Sequence, residues 1–394
     1  MVTPLRIRQL NVLALAVPMR LKFEHAAASR SVADPVVVQA IAATPFAHFA
    51  GWGETLARPY VSGETPATVL RDIRELFVPR LADFQPGNWA EALEFIDALP
   101  MMDGERIVTA ARAAIELALL DLCGRVFQRR LTDVVGWMGL GGFGAPGCIR
   151  AARYSGVVVG RSKTKLQWLL RAQRWYGLRD FKIKVATPGW EQRLEWAYRV
   201  LRPALESGRA TLRADANGAW TFDEAVEHIP TLRLYGVSAL EQPLSDQHDH
   251  LLPRLRQVAP IDLIADESMV TMEDARRLVG DGAVQVLNIR LAKNGGLMPA
   301  LRLAKLALQS GIDVQLGCLV GETSILSAAG IAFLECCPSA RFVEGAFGRL
   351  LLRADVTRRP IRFGRGGRIK PRAGHGLGLS VDETLVAELK IDVQ

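Results

Sequence analysis

From residue 148 to residue 363 the chain repeats one pattern: a short apolar run, then a longer stretch with apolar residues three and four positions apart. The first reads as a buried strand and the second as an amphipathic helix, so the repeat predicts strand–helix units and a parallel sheet. Helices are predicted at 162–177, 189–206, 222–234, 246–258, 271–280, 297–310 and 323–336, with residues 148–156 as the first strand. Upstream the pattern differs. Residues 6–15, 36–43 and 48–54 read as strands of a three-stranded meander, and the polar stretch 19–33 between them reads as a loop. Helices are expected at 67–84 and 89–98. The strongest helix signal runs from Glu105 to Leu131, where the small residues Ala113, Ala114 and Ala118 predict close packing between the N-terminal part and the barrel.

Three of the apolar runs end in a carboxylate: Thr-Leu-Arg-Ala-Asp-Ala-Asn at Asp215, Val-Ser-Ala-Leu-Glu-Gln-Pro at Glu241, and Ile-Asp-Leu-Ile-Ala-Asp-Glu-Ser at Asp266. They are 26 and 25 residues apart, close to the length of one strand–helix unit in a barrel of eight units and roughly 200 residues or more. Equal spacing predicts that all three stand at one height on consecutive strands, at the rim where barrel chemistry sits. Converging carboxylates repel unless a cation neutralises them, and oxygen ligands with open water positions suit Mg²⁺. Any one alone reads as a helix cap or a strand-end ion pair; the shared period sets the three apart. Glu267, next to Asp266, is expected on the opposite face in a structural role. Asn217 shares a face with Asp215 and is expected to orient a ligand or a metal-bound water.

Lys182 and Lys184 alternate on one strand face, and barrel strands are buried on both sides. Burial and a neighbouring cation both lower the pKa of a lysine, which suits it to act as a base near neutral pH. Asn288 and Arg290 share a face one unit after Asp266. Arginine stays protonated in proteins, so Arg290 is a poor base.

Lys-x-Lys, Asp-x-Asn, Glu-Gln-Pro, Asp-Glu-Ser and Asn-Ile-Arg followed by Gly-Gly resemble the enolase superfamily, in its muconate-lactonizing (muconate cycloisomerase) subgroup, over nearly the whole chain. The resemblance implies an α/β fold: a modified TIM-type (β/α) barrel at 141–365, an N-terminal α+β capping domain at 1–140, and a C-terminal segment, 366–394, returning to the cap. It implies Mg²⁺ at Asp215, Glu241 and Asp266, and removal of the proton alpha to the carboxylate of a small substrate. Lys184 would be the base, with Lys182 keeping it deprotonated and holding the substrate carboxylate. Cap loops at 20–31 and 52–61, carrying Arg20 and His25, would close over the substrate, and Cys318 and Glu344 at the ends of strands seven and eight would face it. The subgroup usually carries Lys where this chain has Arg290. Its racemases and epimerases use a base on each face of the alpha carbon, so Arg290 argues against two-base chemistry and for cycloisomerisation or β-elimination. The alternatives are an epimerase of N-acyl amino acids or dipeptides, with Lys293 as the second base, and a non-catalytic binder, which the intact lysines and carboxylates disfavour. Glu322 reads as the cap of the helix that follows it. No His ends strand seven, which disfavours the mandelate-racemase subgroup.

Composition narrows the rest. A chain of 394 residues holds a barrel and one smaller domain. No apolar run reaches membrane-spanning length, and the first residues lack a signal-peptide pattern. The five cysteines form no Cys-x-x-Cys pair, so reduced thiols and a cytoplasmic location are expected. The net charge of +8 is spread along the chain, mostly as Arg, and nucleic acid is not an expected partner. Gly139–Gly144 spells G-x-G-x-x-G but lacks the strand before and helix after it that a dinucleotide site needs, so it reads as a linker. A homo-oligomer is expected.

Overall fold

The computed structural model describes residues 4–24, 29–43, 48–140, 152–160, 162–337 and 339–393. Eight parallel strands follow one another round a single sheet: Gly156–Val157, Asp180–Lys184, Thr211–Asp215, Ala239–Glu241, Asp262–Ala265, Val286–Ile289, Asp313–Leu316 and Phe342–Val343. Tyr154 bridges Val343 in parallel, and Ser155 N donates to Val343 O at 2.8 Å, which closes the ring into a barrel. The described first strand is only Gly156–Val157, shorter than expected, and residues 148–151 lie outside the described set. The Gly-rich run at 139–144 follows the short helix Val134–Trp137 rather than a strand, and its residues from 141 on also lie outside.

The intervening helices start where side chains can satisfy their first amides. Thr221 and Thr271 form capping boxes with Glu224 and Asp274. The segment expected as one helix at 246–258 begins as a 3₁₀ turn, Asp246–Leu251, and becomes α only at Leu252–Val258. Pro253 sits in that first α turn, where its missing N–H costs no helical bond. The segment expected as a helix at 67–84 is one helical run that passes through a π turn, Ile73–Phe77, just before Pro79, which has no N–H to donate one turn back, and ends in a 3₁₀ turn, Leu81–Asp83. No described helix is long and apolar enough to cross a membrane.

The N-terminal part is an antiparallel sheet in which Lys390–Ile391, Ile7–Leu15, Val36–Ala43 and His48–Thr55 lie side by side, so the end of the chain pairs with its beginning. The stretch that polarity marked as a loop is a hairpin, Val17–Glu24 with Ser29–Ala33. The long helix is Thr109–Val126, shorter than expected, because Arg106–Ile107 pairs with Met102–Asp103 in a small hairpin ahead of it.

The small residues of that helix mostly let the cap's own strand approach. A Cβ on Gly53 would stand 2.0 Å from Ala114 O, and one on Gly51 would stand 2.3 Å from Ala118 O. Glu116 on the same helix makes the contact to the barrel, accepting from Leu297 N at 2.5 Å and Met298 N at 3.0 Å at the start of helix Leu297–Gln309. Overpacking costs about 1–3 kcal/mol even among side chains that can move. Gly53→Ala meets backbone, so it is expected to lose at least about 3 kcal/mol in chemical denaturation; an unchanged midpoint would refute the close approach.

Three contacts bring the cap to the barrel rim. Glu54 accepts from Thr323 N and Oγ1, both at 2.7 Å, and from Leu326 N at 2.8 Å, at the start of helix Ser324–Cys336. Burial pushes the Glu54 carboxyl up to about 7 against the pull of those donors. Arg58, 2% exposed, bonds Asp34 at 2.8 Å and Val320 O at 3.1 Å. Arg20 Nε donates to Leu352 O at 2.8 Å. Most of the span 52–61, expected as a loop, is regular structure: the strand runs to Thr55 and a short helix covers Pro59–Ser62, leaving Leu56–Arg58 between.

Candidate active site

The ladder places the rim residues. Asp215 is the register partner of both Lys184 and Glu241, so these three stand side by side on strands two, three and four. The partner of Glu241 on strand five is Ile264, and Asp266 lies two residues further, past the strand's last residue Ala265. Equal spacing in sequence had put it level.

Lys182, 7% exposed, is a hub of ion pairs: Glu241 Oε1 at 2.8 Å, Asp215 Oδ2 at 3.0 Å and Glu344 Oε1 at 3.1 Å. Burial pushes its ammonium towards neutrality, and the three carboxylates more than reverse that, holding its pKa well above the ordinary value. Lys184 behaves in the opposite way. Burial lowers its pKa, Asp215 resists, and Lys182 and Arg290 add to the lowering. Its Nζ donates to Asn217 Oδ1 at 2.8 Å, and Asn217 N donates to Asp215 Oδ1 at 3.0 Å. Asn217 therefore orients Lys184. Its φ of 47° is a left-handed conformation that Asn tolerates better than most residues.

Glu241 is fixed from two further sides, by Asn288 Nδ2 and Gln315 Nε2, each at 3.0 Å. Asp266 Oδ2 accepts from Arg290 Nη2, which also stands 3.7 Å from Glu241 Oε1. Asp266 Oδ1 accepts from Lys293 Nζ at 3.0 Å. Lys293 also donates to Asp266 O at 2.6 Å and Asn288 O at 2.8 Å. An ammonium has three protons, and at 1% exposure all three are engaged. This arrangement tells against Lys293 swinging in as a second base. Gln242 ties two motifs together: its Oε1 accepts from Asp266 N at 2.9 Å and Ser268 N at 3.2 Å.

Glu267 was expected to face away. The strand has ended at Ala265, so the alternation rule no longer applies. Burial, then Asp266, push its carboxyl up to about 8, with Arg290 opposing and Asp215 and Glu241 adding, which places it within electrostatic reach of the cluster. Glu344 is held between Lys182 and Arg213. Burial resists, but Lys182, Arg213 and Arg290 bring its carboxyl down to about 2.

Arg213 escaped the sequence reading. It is fully buried, bonds Glu344 Oε1 at 2.6 Å and Ser155 Oγ at 3.2 Å, and lies 4.7 Å from the centre of the Phe342 ring. Its signal was available, since it precedes Asp215 by two and so shares its inward face. Cys318 lies half-buried beyond strand seven, its thiol kept neutral by burial and by Glu322 and Glu344. Glu322 accepts from Leu319 N at 2.6 Å within its own loop; Thr323 and Glu54 cap the helix instead. Arg20 is exposed on the cap hairpin, where it donates to Leu352 O, and His25 lies outside the described residues.

Among the described residues no three His, Cys, Asp or Glu side chains converge as ligands. All six carboxylate oxygens of Asp215, Glu241 and Asp266 already accept a bond or an ion pair. The donor set nevertheless suits a hard divalent cation such as Mg²⁺. It offers carboxylate oxygens, with Glu267 Oε2, Asn288 Oδ1 and Gln315 Oε1 buried nearby without a partner.

A closed parallel barrel with lysines and carboxylates on its rim defines a class, and comparison identifies it. Residues 166–385 match the family model described as enolase C-terminal domain-like. The chain belongs to the enolase superfamily. It is 32% identical to the L-Ala-D/L-Glu epimerase of Escherichia coli (strain K12) over 325 residues, 82% of this chain and 89% of that protein. It is 29% identical to muconate cycloisomerase 1 of Pseudomonas putida over 324 residues, 82% of each. The crystal structure of muconate lactonizing enzyme from Pseudomonas fluorescens complexed with muconolactone shares the fold, with a TM-score of 0.82 at 22% identity, over 99% of this chain and 100% of that one.

Proposed function

We propose that this chain is a Mg²⁺-dependent enzyme that removes the proton alpha to a substrate carboxylate from one face, then completes a cycloisomerisation or β-elimination as a muconate cycloisomerase-like enzyme. One observation carries this reading: Lys184 ends strand two and Arg290 directly follows strand six of eight, across the barrel mouth, with opposite protonation tendencies. Burial, with Lys182 and Arg290, lowers the pKa of Lys184 against the pull of Asp215, which suits it to accept a proton. Burial opposes the charge on Arg290, but Asp266, Glu267 and Glu241 hold its pKa well above the ordinary value, so Arg290 does not serve as a base.

Lys184 Nζ, oriented by Asn217, takes the alpha proton, and the electron pair of that C–H bond moves into an enediolate. Lys182 and Arg290 place positive charge where negative charge develops on the two oxygens, which lowers the barrier rather than merely binding substrate. A divalent ion held by Asp215, Glu241 and Asp266 would add Lewis-acid stabilisation of those oxygens. As the enediolate collapses to the carboxylate, a Cα–Cβ double bond forms and the Cβ–substituent bond breaks with its electron pair going to the substituent. A tethered substituent leaves by opening a ring, the reverse of which is cyclisation, and a free one leaves as in a lyase. Substrate selection is assigned to the cap, through Arg20 and His25, and to Cys318 and Glu344 at the rim.

The second reading is an epimerase, favoured by the 32% identity to the L-Ala-D/L-Glu epimerase. It needs a base on the Arg290 side, where Arg290 is charged and Lys293 is fully engaged. Incubating the enzyme and Mg²⁺ with a library of small carboxylic acids in D₂O tests the proton abstraction common to both: deuterium enters the alpha position of the true substrate class, and no incorporation into any acid contradicts the proposal.

A further inference from the structure

We propose that Arg290 competes with the divalent ion for Asp266 and Glu241, so that metal enters only as the guanidinium leaves. The proposal rests on the metal reading above and adds a control that sequence similarity does not supply.

The geometry is a charge count at close range. Asp215, Glu241, Asp266 and Glu344 bring four carboxylates, and Lys182, Lys293, Arg290 and Arg213 bring four cations, all joined by ion pairs. The cluster is therefore neutral before any ion arrives. A divalent ion added with all four cations in place would leave a surplus of two positive charges in a buried site, which is strongly unfavourable. At least one protein cation must move.

Arg290 is the one placed to do so. Lys293 is 1% exposed and fastened to two backbone carbonyls as well as to Asp266. Arg290 is 7% exposed, its Nη2 lies between Asp266 Oδ2 and Glu241 Oε1, and its buried Nε has no partner. Lys182 is held from three sides, by Asp215, Glu241 and Glu344. Reach matters too: arginine extends further than lysine and presents a fork suited to carboxylates. Once displaced, the guanidinium is available to a substrate carboxylate.

The test is a titration of the full-length wild-type protein, Arg290→Met and Arg290→Lys with Mn²⁺, followed by electron paramagnetic resonance and calorimetry at one ionic strength, after circular dichroism has confirmed the fold of each. The expected result is Mn²⁺ affinity at least tenfold higher in Arg290→Met than in wild type, with Arg290→Lys between them. If the Met variant does not fold, Arg290→Lys alone decides, by binding more tightly than wild type or not. Equal or weaker binding in the folded variants overturns the competition while leaving the metal site in place. No Mn²⁺ binding by any of the three overturns the metal reading itself.

Discussion

Lys184→Ala is expected to lose alpha-proton exchange by about 10²–10⁴-fold, the range that a positioned acid–base group supplies, while remaining folded. Burial lowers the pKa of Lys184 in the native state, so a neutral side chain at this position removes a burden of desolvation rather than a support. Lys182→Ala should behave differently. Lys182 balances Asp215, Glu241 and Glu344 at 3.0, 2.8 and 3.1 Å, and removing it leaves like charges buried together, so both exchange and thermal stability should fall. Steady-state exchange rates and melting curves for the two variants check the contrast. Equal loss of stability in both would mean that Lys184 is another structural cation and that the base lies elsewhere.

Asp266→Asn should produce the second large effect, on two readouts at once. It removes a carboxylate from the proposed ion site, so calorimetric Mg²⁺ binding should become undetectable. It also strips the counter-charge from Lys293, 1% exposed, and from Arg290. Breaking a buried pair from one side costs about 3–5 kcal/mol, which chemical denaturation resolves easily. A variant with wild-type stability and wild-type Mg²⁺ affinity would refute both the pairing and the ligand role.

The barrel was legible because its determinants are local. Alternation along each strand, and a unit length that repeats at Asp215, Glu241 and Asp266, are properties of neighbouring residues. They place Lys184, Asp215 and Glu241 side by side with no knowledge of what packs on them. The errors arose where tertiary partners decide. Val17, Met19, Leu21 and Phe23 alternate as in a strand, but the interleaved Arg20, Lys22 and Glu24 made the segment read as a loop; Met19 also forms an antiparallel backbone bridge with Leu352, more than 300 residues away. Pro253 delays an α-helix whose apolar spacing ran straight through it, and Pro79 sits just after a π turn in another. Partner choice within the cluster was least legible of all. The backbone carbonyls that engage Lys293 depend on how strands five and six end at the rim, and the pairing of Arg213 with Glu344 depends on the strands closing into a ring; no spacing along one strand encodes either.

Stereochemical course tests the central claim most directly. A chiral acid found to exchange in D₂O is incubated with wild-type enzyme, and deuterium content and enantiomeric ratio are followed together by NMR and chiral chromatography. If Lys184 is the only base, deuterium enters on one face, or cyclisation or elimination proceeds, and the enantiomers do not interconvert. Interconversion at the rate of exchange, persisting in Arg290→Met and lost in Lys293→Met, would show that a second base acts from Lys293 and that the enzyme is an epimerase.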